Sequence, residues 1–253
     1  MSMAVLGNQS RFIDINADAG ESYGRWKLGD DEALLPLLSS VNIACGFHAG
    51  DPVTIRRTLD LAAINGLAVG AHVSYPDLAG FGRREMTVSA AELEADLLYQ
   101  IAALDGLARV AGMSISYVKP HGALFHRTLT DQMQGGAVAA ALAAWPSPLM
   151  LLTSPTGAAG VAAADRGIAV ASEAFAERGY QANGLLIPRG QPGDLIHEPH
   201  LAAEQAVRLA RTGSFDSVCI HGDSPNAVTV ARAVREELIE AGFAISRFAA
   251  DPT

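Results

Sequence analysis

The alternation of short apolar segments with helical segments constrains the fold of this chain more than any other feature. Seven short segments rich in β-branched residues predict strands at 11–17, 41–45, 67–72, 115–119, 148–152, 168–172 and 216–220. Helical patterns with start and stop signals lie between most of them, from Asp51-Pro52 to Gly66, from the Ser89 and Glu92 capping box to Gly112, and from Ser224-Pro225 to Gly242.

Strands and helices of these lengths predict parallel strand pairing with right-handed crossovers. About seven such units predict an α/β fold, a closed or nearly closed seven-stranded (β/α) barrel, with an open doubly wound sheet as the alternative. No linker or composition shift divides the 253 residues, which predicts one (β/α)-barrel domain over 1–253. In either fold the ligand site lies beyond the carboxyl ends of the strands.

Charge and cysteine usage narrow the class of protein. The net charge of -9 argues against nucleic acid as a main partner, because phosphate binding needs clustered Lys and Arg. Cys45 and Cys219 lie in apolar stretches, which predicts buried, reduced thiols. The first ten residues lack the features of a signal peptide, and no apolar run is long enough to span a membrane. These features predict a soluble, cytoplasmic protein.

Four polar clusters at 42–52, 70–84, 118–126 and 219–225 each place a histidine within a few residues of a predicted strand end. His48 and His72 lie in glycine-flanked turns, where the backbone can come close to a ligand. Together with Asp14 or Asp18 they are candidates for an Asp/His/His metal site. Neutral imidazoles that act as general acid and base beside carboxylates are the alternative.

The first predicted strand is polar on one face. Period-two alternation places Phe12, Asp14, Asn16 and Asp18 on the same side, and Glu21 follows shortly after. An edge strand with a wet face explains this pattern. A barrel interior that holds carboxylates near the site also explains it, provided that a cation or a shared proton offsets their charge.

Lys119 ends an apolar strand directly before Pro120 and His121. At this position it is a candidate to hold a carboxylate or phosphoryl oxygen, or to act as a base with a lowered pKa. A lysine whose stem packs on the barrel rim is the alternative. The spacing places His126 outside the site.

Anion-binding candidates lie in the loops. Arg83 and Arg84 suit bidentate capture of a carboxylate or phosphate, unless they form ion pairs with surface acids. His221 and Asp223 precede a helix whose free N–H groups favour an anion, although Asp223 also suits a capping role. The complete set of substrate- or anion-binding candidates is Asp51, Arg83, Arg84, Arg189, His221 and Asp223.

Six ordered motifs carry a resemblance: DINADAGESYG, NIACGFHAGDP, GAHVSYPDLAGFGRR, YVKPHGALFH, FAERGY and IHGDSPNAV. Over residues 12–245 the chain resembles the LamB/YcsF family. The resemblance implies a (β/α) barrel of the glycoside hydrolase/deacetylase type. It also implies ATP-coupled hydrolysis of 5-oxo-L-proline to L-glutamate, carried out with partner subunits B and C.

This activity leads to a hypothesis about roles. Phosphorylation of the lactam oxygen makes C5 electrophilic, and a carboxylate or histidine then activates water. The candidate bases or metal ligands are Asp14, Asp18 and His72. His121 is the candidate acid for the departing ring nitrogen, and Lys119 and Arg84 are candidates to bind anionic oxygens. The complete catalytic set is Asp14, Asn16, Asp18, Glu21, His48, His72, Lys119 and His121, with Asp18, His48 and His72 as metal candidates.

The sequence leaves cofactors and assembly open. No GxxxxGK[ST] loop is present, so ATP, the co-substrate, binds through other turns or mainly on the partners. A divalent metal and a homo-oligomer are both compatible with the sequence. The alternatives are a stand-alone metal-dependent hydrolase or deacetylase, and a non-catalytic lactam-binding subunit.

Overall fold

The computed structural model describes residues 11–249. Its centre is a ring of seven strands: β1 (Arg11–Ala19), β2 (Ser40–Ala44), β3 (Ala68–Val73), β4 (Ile115–Pro120), β5 (Met150–Thr153), β6 (Val170–Phe175) and β7 (Ser217–His221). Each strand pairs in parallel with the next, and β7 pairs with β1, which closes the barrel. A short strand β8 (Phe243–Ile245) pairs with the start of β1, outside the ring. The seven-stranded barrel is confirmed, and the open sheet is wrong.

Helices surround the ring: α1 (Asp31–Leu34), α2 (Pro52–Asn65), α3 (Ala90–Val110), α4 (Gly122–Thr130), α5 (Gln132–Ala144), α6 (Ala158–Ala164), α7 (Pro199–Arg211) and α8 (Ala227–Glu240). The Ser89–Glu92 capping box is present at α3, and Asp51 caps α2. The predicted start of the last helix is wrong by two residues. Ser224 and Pro225 belong to a turn closed by the Ala227 N–H, which donates to the Ser224 carbonyl at 3.1 Å.

The outward faces of the strands and the inward faces of the helices form the main core, which draws on all seven ring strands and on every helix from α1 to α8. Inside the barrel a separate cluster of Ala68, Tyr117, Leu152, Ala171 and Ala249 fills the lumen toward the amino ends of the strands. A Cβ on Gly70 would lie 2.1 Å from Tyr117 Cε2, so the Tyr117 ring fits only beside a glycine. The lumen is therefore a packed interior rather than a pore.

The polar face of β1 points into this lumen. Asp14, Asn16 and Asp18 are buried, whereas Phe12 at the amino end of the strand is 71% exposed. The wet-edge interpretation is wrong because β1 is paired on both sides, with β2 and with β7.

Cys45 and Cys219 are free and buried, as predicted. Within residues 11–249, none of the helices is both long and apolar enough to cross a membrane.

Candidate active site

Four buried side chains meet at the carboxyl end of the barrel. Glu21 follows β1, His48 lies in the loop after β2, His72 is on β3 and His121 follows β4. Each offers one ligand atom, and these atoms all lie within 4.8 Å of one another. We call these four residues the Glu–His cluster. It brings His48 and His72 together as the sequence predicts, but Glu21 and His121 complete the group.

The outward nitrogens of His72 and His121 donate to carbonyl oxygens, which can only accept. His72 Nδ1 lies 3.1 Å from the Lys119 carbonyl oxygen, and His121 Nε2 lies 2.9 Å from that of Phe81. Phe81 has a φ of 54°, in the left-handed region that non-glycine residues rarely adopt. This strained residue aims its carbonyl at the imidazole. Both outward nitrogens therefore carry hydrogen, and in the neutral form of each ring the inward nitrogen presents a lone pair.

His48 is held in the same manner. Its Nδ1 lies 3.0 Å from Ser74 Oγ, and that hydroxyl donates its own hydrogen to the Tyr75 carbonyl at 2.9 Å. The serine oxygen therefore accepts from Nδ1–H. The inward Nε2 of His48 faces Glu21 Oε1 at 3.1 Å.

Acceptors consequently face one another inside the cluster. His72 Nε2 lies 3.0 Å from His121 Nδ1 and 3.3 Å from Asp18 Oδ1. Burial, followed by the neighbouring imidazoles, lowers the pKa of His48 and His121 well below the usual range. The lone pairs of neutral imidazoles and of a carboxylate repel one another when they converge. A shared proton or a cation between them removes this repulsion. Three ring nitrogens and one carboxylate oxygen are a donor set that fits a divalent metal such as zinc.

Beside the cluster, Lys119 is almost fully buried, with 2% exposure. Its Nζ lies 3.0 Å from Asp18 Oδ1 and 2.8 Å from Glu173 Oε1. Burial alone disfavours the ammonium, but Asp18 and Glu173 outweigh it and hold the pKa of Lys119 well above its usual value. This direction favours a fixed cation over the predicted alternative of a base with lowered pKa. The burial of the side chain contradicts the alternative of a lysine on the exposed barrel rim.

A pocket of about 160 Å³ opens next to Asp18, His72 and Lys119. Its lining combines cationic groups with apolar side chains: Arg83, Arg178, Arg189, Phe125, Phe175 and Leu186. His126, which the spacing placed outside, also lines it. The reason is that α4 begins directly after His121, so its first turns lie against the barrel mouth. Such a pocket suits a small anion with an apolar body.

His221, at the end of β7, lines the same pocket. Its Nδ1 and its backbone N–H both face Glu177 Oε1, the latter at 2.8 Å. Glu177 follows β6, which is the neighbour of β7 in the barrel.

Some predicted site residues lie apart from both the pocket and the Glu–His cluster. Asp14 lies four residues before Asp18 along β1, about 13 Å at roughly 3.3 Å per residue, and its carboxylate accepts from serine hydroxyls. Asp51 caps α2. Arg84 is bonded to Asp77 and points toward solvent.

Two further predicted residues have other partners. Asp223 pairs with Arg83 at 2.6 Å, so it holds a pocket arginine rather than an anion. Asn16 precedes Asp18 on the same face of β1, toward the amino end of the strand, and its side-chain oxygen accepts a hydrogen bond from Asn42 Nδ2 at 2.7 Å.

Sequence reasoning missed Glu173, Glu177 and Arg178 as site residues. Glu173 lies two residues before Phe175 on β6, so the two side chains share the lumen-facing side, a signal that period-two counting would detect. Glu177 and Arg178 lie in FAERGY, but nothing in their spacing shows that β6 and β7 bring Glu177 to His221.

Comparison with known proteins agrees with this architecture. The model of the LamB/YcsF family matches residues 13–252. A protein of Agrobacterium fabrum, named as an A subunit of 5-oxoprolinase, is 47% identical over 251 residues, covering 94% of this chain and 98% of its own length. The A subunit of the Streptomyces avermitilis 5-oxoprolinase is 47% identical over 249 residues, covering 94% of this chain and 100% of its own.

Solved structures show the same fold. The lactam utilization protein of Thermus thermophilus superposes with a TM-score of 0.88 at 44% identity, covering 92% of this chain and 98% of its own. A family 4 carbohydrate esterase of Streptomyces lividans, with a TM-score of 0.52 at 13% identity, covers 98% of this chain and 100% of its own. The second likeness concerns the fold alone.

Proposed function

The chain belongs to the LamB/YcsF family, and from this membership we propose that it is the A subunit of a 5-oxoprolinase. The enzyme opens the lactam ring of 5-oxo-L-proline to L-glutamate, with ATP hydrolysis and with partner subunits B and C. The observation that carries the proposal is the buried Glu–His cluster beside a cationic pocket. That pairing supplies both hydrolytic groups and a place for a small carboxylic acid.

We place a divalent metal at Glu21, His48, His72 and His121, because their inward atoms converge with too few protons to bridge all of them. When bound, the metal supplies Lewis-acid chemistry for hydrolysis. Burial and the Asp18 carboxylate raise the pKa of Glu21 well above its usual range. A raised pKa means that the Glu21 carboxylate is disfavoured, and a cation bound beside it would stabilise this charged form.

The pocket fits the substrate by charge and shape. 5-Oxo-L-proline is a carboxylate on a small ring with apolar methylene groups. Arg83 and Arg189 bind the carboxylate, while the rings of Phe125 and Phe175 pack against the methylene groups. The Lys119 ammonium, held between two carboxylates, orients the lactam oxygen without exchanging a proton.

Nucleotide binding belongs mainly to the partner subunits in this proposal. The chain has no GxxxxGK[ST] motif. A phosphoryl group transferred from ATP to the lactam oxygen makes C5 electrophilic, and water then adds at C5.

The test measures ADP and glutamate release from 5-oxo-L-proline by this chain, with and without subunits B and C, before and after chelation. We expect turnover only in the complete, metal-loaded complex. His72→Gln should lose both bound metal and turnover, whereas Arg84→Ala, outside the pocket, should keep both. Turnover by the isolated chain without ATP would instead show a stand-alone hydrolase. Unchanged turnover after complete metal removal and in His72→Gln would show a non-catalytic lactam-binding subunit.

A further inference from the structure

His221 is a pocket histidine with one ring nitrogen committed and the other available. A carboxylate accepts hydrogen bonds, so the contact of Nδ1 with Glu177 Oε1 places a hydrogen on Nδ1. Within residues 11–249, Nε2 has no hydrogen-bond partner, and the residue lines the pocket. A carboxylate–imidazole pair of this kind fixes the tautomer and stabilises the imidazolium.

The pair is rigid. Glu177 is buried, and the same Oε1 also accepts the backbone N–H of His221 at 2.8 Å. The face of the His221 imidazole stacks on the Phe175 ring, with ring centroids 5.6 Å apart and an interplanar angle of 12°. The direction of Nε2 is therefore set by β6 and β7 together.

The other site histidines lack this freedom. His121, the acid expected from the sequence, donates through Nε2 to Phe81 and turns Nδ1 into the Glu–His cluster. His48 and His72 also use both ring nitrogens. His126 lines the pocket without a carboxylate partner among residues 11–249.

We propose that His221 is the general acid that protonates the ring nitrogen as the lactam opens, with Glu177 as its positioning residue. This inference rests on the proposed function. The C5–N bond breaks, its electron pair stays on nitrogen, and nitrogen takes the proton from Nε2. The attacking water supplies an oxygen on C5, and the proton it loses restores the imidazolium. This leaves an acyl phosphate at C5, from which a second water releases phosphate, so the sum is lactam, ATP and two waters to amino acid, ADP and phosphate.

Other charges around the pocket also act on His221. Carboxylates favour the imidazolium and cations oppose it. The groups concerned are Glu177 after β6, Asp18 on β1, Arg83 after β3 with its partner Asp223, Lys119 on β4, His126 on α4, and Arg178 and Arg189 on the loop after β6. Glu177 is the one in direct hydrogen-bond contact with the ring, so its removal has the largest expected effect on protonation.

The test uses the reconstituted complex of this chain with subunits B and C. His221→Ala should lower kcat by about 100-fold or more, with unchanged bound metal and KM, and free imidazole should restore part of the rate. Glu177→Gln should keep part of kcat and move the basic fall of the pH–kcat profile to lower pH. That shift separates positioning from a merely structural role. His200→Ala, on the exposed side of α7, is the matched control and should neither slow turnover nor respond to imidazole.

Each outcome decides between the two proposals. A wild-type complex that fails to open the lactam overturns the proposed function and this assignment with it. An active wild type overturns the assignment alone if His221→Ala keeps its rate, or if Glu177→Gln loses rate with an unshifted profile. Loss of metal from folded His221→Ala also overturns it, because the residue would then act on the Glu–His cluster.

Discussion

Asp14 offers a sharp test of how the barrel interior treats charge. Its carboxylate is buried and accepts hydrogen bonds from the hydroxyls of Ser39, Ser40 and Ser217. Burial is the largest influence, and it raises the pKa of Asp14 from 3.8 to about 6 despite these bonds. The folded protein therefore disfavours the charged form, and Asp14→Asn should stabilise the protein at neutral pH.

The magnitude follows from linkage. An acid whose folded pKa lies above its unfolded value costs stability at high pH, and the cost fades as pH falls from 6 toward 4. A shift of about 2 pKa units at about 1.4 kcal/mol each gives an upper bound of roughly 3 kcal/mol near pH 7.5. At about pH 5 the same two pKa values leave about 1.5 kcal/mol. Serine hydroxyls can rotate to accept from the asparagine amide, so the bonding is conserved.

Urea unfolding of wild type and Asp14→Asn between about pH 5 and pH 7.5 measures this difference. The variant should be more stable, by more at the higher pH, and should keep its activity, since Asp14 lies outside the pocket.

Asp51→Ala is the control, for which the expected change in stability has the opposite sign. Hydrogen bonds from Gly24, Thr54 and Val53 lower the pKa of Asp51 to about 2, so its removal should destabilise at neutral pH and less toward pH 2. The reasoning is refuted if Asp14→Asn is less stable at pH 7.5, or if its effect does not change with pH.

Three further substitutions test the packing and the limits of the site. Lys119→Met should destabilise by about 3–5 kcal/mol in urea, because it leaves buried carboxylates unpaired; adding Glu173→Gln should recover part of this, and strict additivity would contradict the ion pair. Gly70→Ala should cost about 3 kcal/mol or prevent folding, because its methyl meets the Tyr117 ring; wild-type stability would contradict the packed lumen. Arg84→Ala should leave KM for 5-oxo-L-proline unchanged in steady-state assays, and a raised KM would place Arg84 at the substrate.

The barrel could be predicted from the sequence because its determinants are local. Each strand is a short apolar run, and the helix signals at Asp51, Ser89 and Gly66 act within a few residues. The predicted start of α8 is wrong because it, too, relied on a local signal alone. Ser224-Pro225 has the composition of a helix start, but the chain uses it in a turn that ends at Asn226. Composition reports that the chain changes direction there, and the tertiary context decides where the helix begins.

The site was only partly predictable, because its partners are chosen by strand order. His48 and His72 are recognisable as strand-end histidines, and the barrel brings these ends together. Glu177 and His221 are far apart along the chain, and only the pairing of β6 with β7 makes them a pair. Arg84 shows the converse. It is the neighbour of Arg83 in the sequence and has the same side chain, yet it forms an ion pair with Asp77 away from the pocket.

Two aspartates on one face of β1 show what defines the site. Asp14 and Asp18 are equally buried, yet burial raises the pKa of Asp14, while His72 and Lys119 outweigh burial at Asp18 and lower its pKa well below the usual range. Depth in the barrel therefore does not decide whether a carboxylate stays charged; the Lys119 ammonium, and a proton or cation held by the Glu–His cluster beside Asp18, do so. The sequence places Lys119 and the cluster histidines only at the carboxyl ends of the strands, where Asp18 lies. Moving the Asp18 charge four residues back along the strand would give a carboxylate with hydroxyl partners and a raised pKa. For this reason the chemistry is confined to one end of a lumen that is polar along much of its length.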